Sequence, residues 1–194
     1  MERVVKHTLV IAVITLAVAR PTQTIQQQLL WITDPDEYAV YAAVVPQAWK
    51  TISNDLLLLQ QETEGIDAVS SCLPGLMTSK AADSEWDAAV NDFTQRNMSV
   101  HVLRPSLPID IPYRLIPHAE ILADDARLEV KYPGLWQHRP ESMQYLAVSA
   151  VGFGPSKTNA IVYLRRRDEG GLRLLERHDD EWVPAKRGGC QWIA

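Results

Sequence analysis

Residues 145–184 read YLAVSAVGFGPSKTNAIVYLRRRDEGGLRLLERHDDEWVP, and in this stretch period-two patterning and turn chemistry agree. Tyr145 to Phe153 is rich in small, β-branched and aromatic residues, and Gly154-Pro155-Ser156-Lys157 closes it as a turn. Asn159 to Arg167 then starts apolar on both faces, as a central strand does, and ends in three arginines where it emerges into water. Asp168-Glu169-Gly170-Gly171 predicts the next turn, because paired glycines reach positive φ without a Cβ clash. Leu172, Leu174 and Glu176 alternate with Arg173, Leu175 and Arg177 in a half-exposed strand, and Asp179-Asp180 stands where a two-residue hairpin turn belongs. Trp182 and Val183 open the last strand, which Pro184 marks as an edge because it donates no ladder hydrogen bond.

Upstream of this sheet the pattern turns helical. Asp34 or Thr33 caps a helix with Pro35, Asp36 and Glu37 in its first turn, where acidic side chains suit the positive end of the dipole. Tyr38, Tyr41, Ala42, Val45 and Trp49 form its core stripe, and Pro46 predicts a kink or an end near Val45. Leu56-Leu57-Leu58-Leu59 is short enough for a buried strand and equally acceptable as one turn of helix, with the strand preferred. After a connecting region, Asp83-Ser84-Glu85 opens a second amphipathic helix carrying Trp86, Ala89, Val90 and Phe93, ending before Asn97. Prolines 105, 108, 112 and 117 predict an extended segment over 100–117, and residues 119–132 are compatible with a third helix.

The chain has 194 residues, 46% of them hydrophobic, with a formal charge of −5, which is globular composition for one domain. Apart from Arg165-Arg166-Arg167 its basic residues are dispersed, which disfavours a nucleic-acid partner. Residues 1–19 are laid out as a cleavable export signal: Arg3, Lys6 and His7 precede the apolar run Leu9 to Ala19, and Ala17-Val18-Ala19 supplies small residues for cleavage. That run is shorter than the roughly 20 residues of a comfortable membrane span, so a membrane enters only through an uncleaved signal. Residues 20–32 then read as a linker and 33–194 as a single domain.

Several segments together resemble a group of uncharacterised exported bacterial proteins. They are Tyr38 to Ala43, Trp86 to Asn97, Ile111 to Ile116, Tyr132-Pro133-Gly134, Val148 to Phe153 and Ala160 to Tyr163. The closing Leu175-Glu176-Arg177, followed by a short turn and Trp182, is similar to theirs as well, although Asp180 stands where that pattern carries glycine. The resemblance implies export and an α+β fold and transfers no catalytic residue.

Two cysteines, Cys72 and Cys190, pose a disulfide question once export is expected. Sequence alone cannot place their Cα atoms within the ~4.4–6.8 Å that a bridge requires. For a metal, His118-Ala119-Glu120 is the candidate, assisted by His101, His138, Asp124 or Asp125, although a helix start with an acidic first turn accounts for the same residues. His178-Asp179-Asp180 and the arginine run read as solvated turn and strand end before they read as ligand sets. Gly152 to Ser156 lacks the third glycine of a phosphate loop, and no Gly-x-Ser-x-Gly elbow is present. Among six tryptophans, Trp31, Trp136 and Trp192 fall in linkers or near the C-terminus, where a ring can stack on sugar or peptide.

The expectation is therefore an α+β domain with two or three helices on one face of an antiparallel sheet formed mainly by the C-terminal strands. A cystatin-like cone around a long N-terminal helix is compatible with this element order. The expected function is a noncatalytic envelope or extracellular binding or interaction module, with a small molecule, glycan or envelope protein as partner and no cofactor. The alternatives are a small secreted hydrolase using His118 and Glu120, assisted by a metal, and docking of a partner strand on the edge near Trp182.

Overall fold

The computed structural model describes residues 30–49, 56–69, 72, 84–123, 145–166, 169–186 and 189–193. Its helices are α1 (Pro35–Trp49), α2 (Ile66–Val69) and α3 (Ser84–Arg96), and residues 118–123 are also helical. The strands are β1 (Leu30–Trp31), β2 (Leu57–Gln60), β3 (His101–Val102), β4 (Tyr113–Ile116), β5 (Tyr145–Val148), β6 (Gly152–Phe153), β7 (Asn159–Arg165), β8 (Glu169–His178), β9 (Glu181–Pro184) and β10 (Gln191–Ile193). Eight of them form one sheet in the order β10-β8-β7-β5-β2-β4, with β6 beside β7 and β9 beside β8.

The fold is α+β, and its C-terminal half is antiparallel as the period-two pattern predicts. The sheet as a whole is mixed, because β2 runs parallel to both β4 and β5. Parallel neighbours need a long crossover, and the chain between β2 and β4 supplies one that contains α3. Helices also cover both faces instead of one. On one face α1 packs Val40, Tyr41, Val44, Val45 and Trp49 against Leu57, Leu59, Leu146, Val148, Val162 and Leu164. On the other, Trp86, Ala89 and Phe93 of α3 meet Ile161, Tyr163, Leu172 and Leu174. Strand β7 is apolar on both faces because each face has its own helix, and this excludes a cone wrapped about one helix.

Asp34 caps α1, its Oδ1 accepting the Asp36 N–H at 3.0 Å. Pro46 neither ends nor stops the helix, which runs on to Trp49. Val45 before the proline and Trp49 after it are both buried, and their packing holds the final turn against the lost hydrogen bond. Within the stretch read as linker, Leu30 and Trp31 form β1, paired in parallel with His101 and Val102 of β3. Asp179 and Asp180 have φ of 48° and 67°, the left-handed pair of a type I′ hairpin turn, so aspartates fill the role more often given to Asn-Gly. Gly170 and Gly171 are not a turn. They lie inside β8, opposite Arg165 and Leu164, and a Cβ on Gly171 would sit 2.5 Å from the Cys190 carbonyl oxygen, so glycine is there for the close approach of β10.

The expected strand Tyr145–Phe153 breaks at Ser149–Val151, between β5 and β6. Just beyond the break Gly152 lies against α3, where a Cβ would stand 2.3 Å from Phe93 Cβ and 2.4 Å from its backbone. Helix backbone cannot yield as a side-chain tip can. Gly152→Ala is therefore expected to lower the unfolding free energy by about 3 kcal/mol, at the upper end of overpacking costs, in urea denaturation at unchanged slope.

Cys72 and Cys190 are bridged, with Cα atoms 5.4 Å apart. The bond joins the connection after α2 to the start of β10, on the face covered by α3.

Candidate functional site

Of the three tryptophans read as able to stack on a ligand, two fall on different sheets. Trp31 is 45% exposed on the two-stranded β1–β3 ribbon, whereas Trp192 lies in β10 of the main sheet, in register with Gly170. Trp136 lies outside the described residues, as do His138, Asp124, Asp125 and the export signal.

His118 and Glu120 go to different partners. Glu62 caps the helical residues 118–123, its Oε2 accepting the His118 N–H at 2.8 Å, where a carboxylate suits the positive end of the dipole. His118 Nδ1 lies 3.0 Å from Gln60 Oε1, and an amide oxygen only accepts, so the imidazole proton sits on Nδ1. Glu120 meets Arg114 at 3.4 Å on the exposed surface. His101 is occupied elsewhere, its Nε2 3.0 Å from the Arg96 carbonyl oxygen. No group of three or more metal-ligating side chains occurs among the described residues. At the far end of the sheet Arg165, expected in solvent, is largely buried, with Glu64 bound by its Nε and Nη2 and Tyr145 by its Nη1. His178 lies 3.5 Å from Glu176, and Asp180 pairs with Arg177.

A second polar cluster centres on the wholly buried Glu37. Ser149 keeps its N–H bonded to the Tyr163 carbonyl, but from the Ser149 carbonyl to the Val151 N–H the backbone takes side-chain partners instead of ladder bonds. Asn97 donates to the Ala150 carbonyl and accepts its N–H, Tyr41 donates to the Ser149 carbonyl, and Glu37 Oε1 accepts the Val151 N–H at 2.7 Å. Glu37 also accepts from Tyr41 and Arg96 and is wholly excluded from water. Burial pushes its carboxyl above the ordinary range, against the opposing pull of the Arg96 charge and the donated bonds. Tyr41 is pushed up further, by its own burial and by the Glu37 charge. Sequence reading assigned Glu37 to the helix dipole. The signal for its real place was there, since Glu37, Tyr41 and Val45 follow one another at four-residue spacing along the core stripe. Every polar contact in this cluster is spent on backbone or on the cluster itself, which makes it a tie between α1, the end of α3 and the strand break.

A cleft on the α1 face is open to solvent. Val44, Gln47 and Ala48 of α1 overhang a floor of Leu164, Leu175 and Pro184, enclosing about 230 Å³. A shallower groove continues from it over Gly170 and Gly171 toward Gln191. Face alternation puts Leu164 and Arg166 on the same side of their strand, with Arg173 and Leu175 two residues apart on the neighbouring one. Arg166 and Arg173 thus enter the cleft at its rim, and Glu169 lines the groove. Arg166 pairs with Glu169. Arg173 is exposed, with no ion pair to the described residues. Arg166 was in view only as part of an arginine run read as a solvated strand end, and Arg173, Gln47 and Ala48 were not singled out, because period-two alternation tells which face Arg173 takes but not that α1 stops short of covering it.

No protein-family model, no curated protein and no solved structure matches the chain.

Proposed function

We propose that the protein is an exported, noncatalytic binding module that holds a small ligand in the cleft between the last turns of α1 and strands β7–β9. The observation that carries this reading is the cleft itself: an apolar floor on the central strands, a helical overhang, and a polar lining supplied by Gln47, Arg166 and Arg173. This is the build of small-ligand sites in general, though its 230 Å³ falls below the roughly 300–1,000 Å³ of sites for drug-sized molecules. Export is supported by the bridge between Cys72 and Cys190, since disulfides persist in oxidising compartments, and by the layout of residues 1–19. No described helix is long and apolar enough to cross a membrane.

The test is a ligand-observed NMR screen of small apolar and amphiphilic molecules against wild-type protein and Ala48→Trp, whose indole fills the cleft beneath the helical overhang. Hits are expected to bind the wild type and to lose binding in the variant, with its thermal unfolding retained. Hits that bind both proteins equally would place the site elsewhere and overturn the reading.

A further inference from the structure

The charges around the cleft specify more than its apolar floor does. Among the described residues, Arg166, Arg173 and Glu169 are the charged side chains that line the cleft and its groove. Among the described residues Glu169 is engaged with Arg166, and Arg173 has no ion pair. The cleft also meets the carbonyl end of α1, whose last turn contains no basic residue and which contributes a partial negative charge of about one half. A monoanion suffices to pair with Arg173. A dianion would add a second negative charge beside the helix carbonyls.

From Arg173, exposed and without an ion pair among the described residues, and from the volume and apolar floor of the cleft we infer that the ligand is a small monocarboxylate with an aliphatic body. The carboxylate pairs with the Arg173 guanidinium, whose planar fork matches it bidentately. The body lies on Leu164, Leu175 and Pro184 beneath Val44 and Ala48, where its apolar surface leaves water. Arg173 sits in the interior of β8 opposite Val162, so its backbone is fixed by ladder pairing and only the side chain orders on binding. The inference rests on the cleft being the binding site.

Octanoate serves as the probe, titrated into the full-length protein by calorimetry below its micelle concentration. Octanol is the neutral comparison, octyl phosphate the dianionic one, and Arg173→Gln and Ala48→Trp are the variants. Octanoate is expected to bind one to one, about tenfold or more tighter than octanol and tighter than octyl phosphate. Arg173→Gln is expected to weaken octanoate about tenfold and leave octanol unchanged, because it removes a charge at an exposed position and little volume. Equal binding of octanoate and octanol, or an Arg173→Gln variant that binds octanoate like wild type, would overturn the carboxylate assignment. If Ala48→Trp still abolished both in that case, the cleft would stand as the site. Tighter binding of octyl phosphate would overturn the monoanion. Failure of every probe to bind would overturn the inference, leaving the cleft to be decided by the screen against Ala48→Trp.

Discussion

Glu37→Ala is expected to lower the unfolding free energy by about 3–5 kcal/mol, the range for removing one partner of a buried ion pair. The side chain is wholly buried, and its loss strands the Val151 N–H and leaves Arg96 without its carboxylate, while the Tyr41 hydroxyl keeps the Ser149 carbonyl as acceptor. Arg96 keeps 25% of its side chain exposed, so water takes up part of its charge and the loss falls toward the lower figure. Glu37→Gln retains an acceptor for Val151 and Tyr41 but turns an amide toward a guanidinium, two donors facing each other. It is expected to cost about 1.5–3 kcal/mol, the worth of a hydrogen bond to a charged group.

The pH dependence distinguishes the two glutamine-side-chain effects from simple packing. Burial raises the Glu37 carboxyl above its ordinary 4.5. A carboxyl raised on folding contributes stability that is complete below its unfolded value and is lost as pH rises through its folded value. Glu37→Gln has no proton to take up, so its deficit against wild type should widen as pH falls from neutral toward 4.5. Urea denaturation at several pH values reads this directly. A deficit for Glu37→Ala below about 1 kcal/mol would mean that the strand break does not depend on this side chain.

Removing the disulfide is the other large effect. Cys72 and Cys190 are 118 residues apart in sequence, and in the chain-entropy account a closed loop of that size stabilises by about 4.7 kcal/mol. Cys72→Ala with Cys190→Ala is expected to lose about 4–5 kcal/mol in urea denaturation, and reduction of the wild-type protein should reproduce most of that loss. The consequence should be local as well as global. Backbone amides of Gln191 to Ile193 are held to Glu169–Gly171 by a three-residue pairing, and the bridge fixes its entry, so hydrogen exchange there should rise more than in β7. A double variant as stable as wild type would show that the bridge constrains a loop already ordered without it.

The period-two stretch 145–184 and the helix stripes were legible because local rules decide them. Asp179-Asp180, Pro184 and the Trp86–Phe93 stripe sit where turn chemistry, ladder donation and the 3.6-residue repeat put them. What was illegible depends on partners distant in sequence. Gly170 and Gly171 look like a turn until β10 arrives against them, and Ser149–Val151 looks like strand until Asn97 and Glu37 compete for its backbone. The parallel pairing of β2 is invisible in Leu56 to Leu59, since a run of leucines carries no direction. The disulfide was readable as a question because both cysteines were in view, but its answer is a distance. The cleft was least legible of all: it exists where α1 ends relative to β8, and Pro46 had pointed to an earlier end.

Most direct for the central claim is amide chemical-shift mapping of the octanoate titration. The account predicts shifts concentrated at Gln47, Ala48, Leu164, Arg166, Gly171 and Arg173, with the amides of His118 and Trp31 unmoved. Shifts gathered around His118 and Gln60, or on the β1–β3 ribbon, would contradict it.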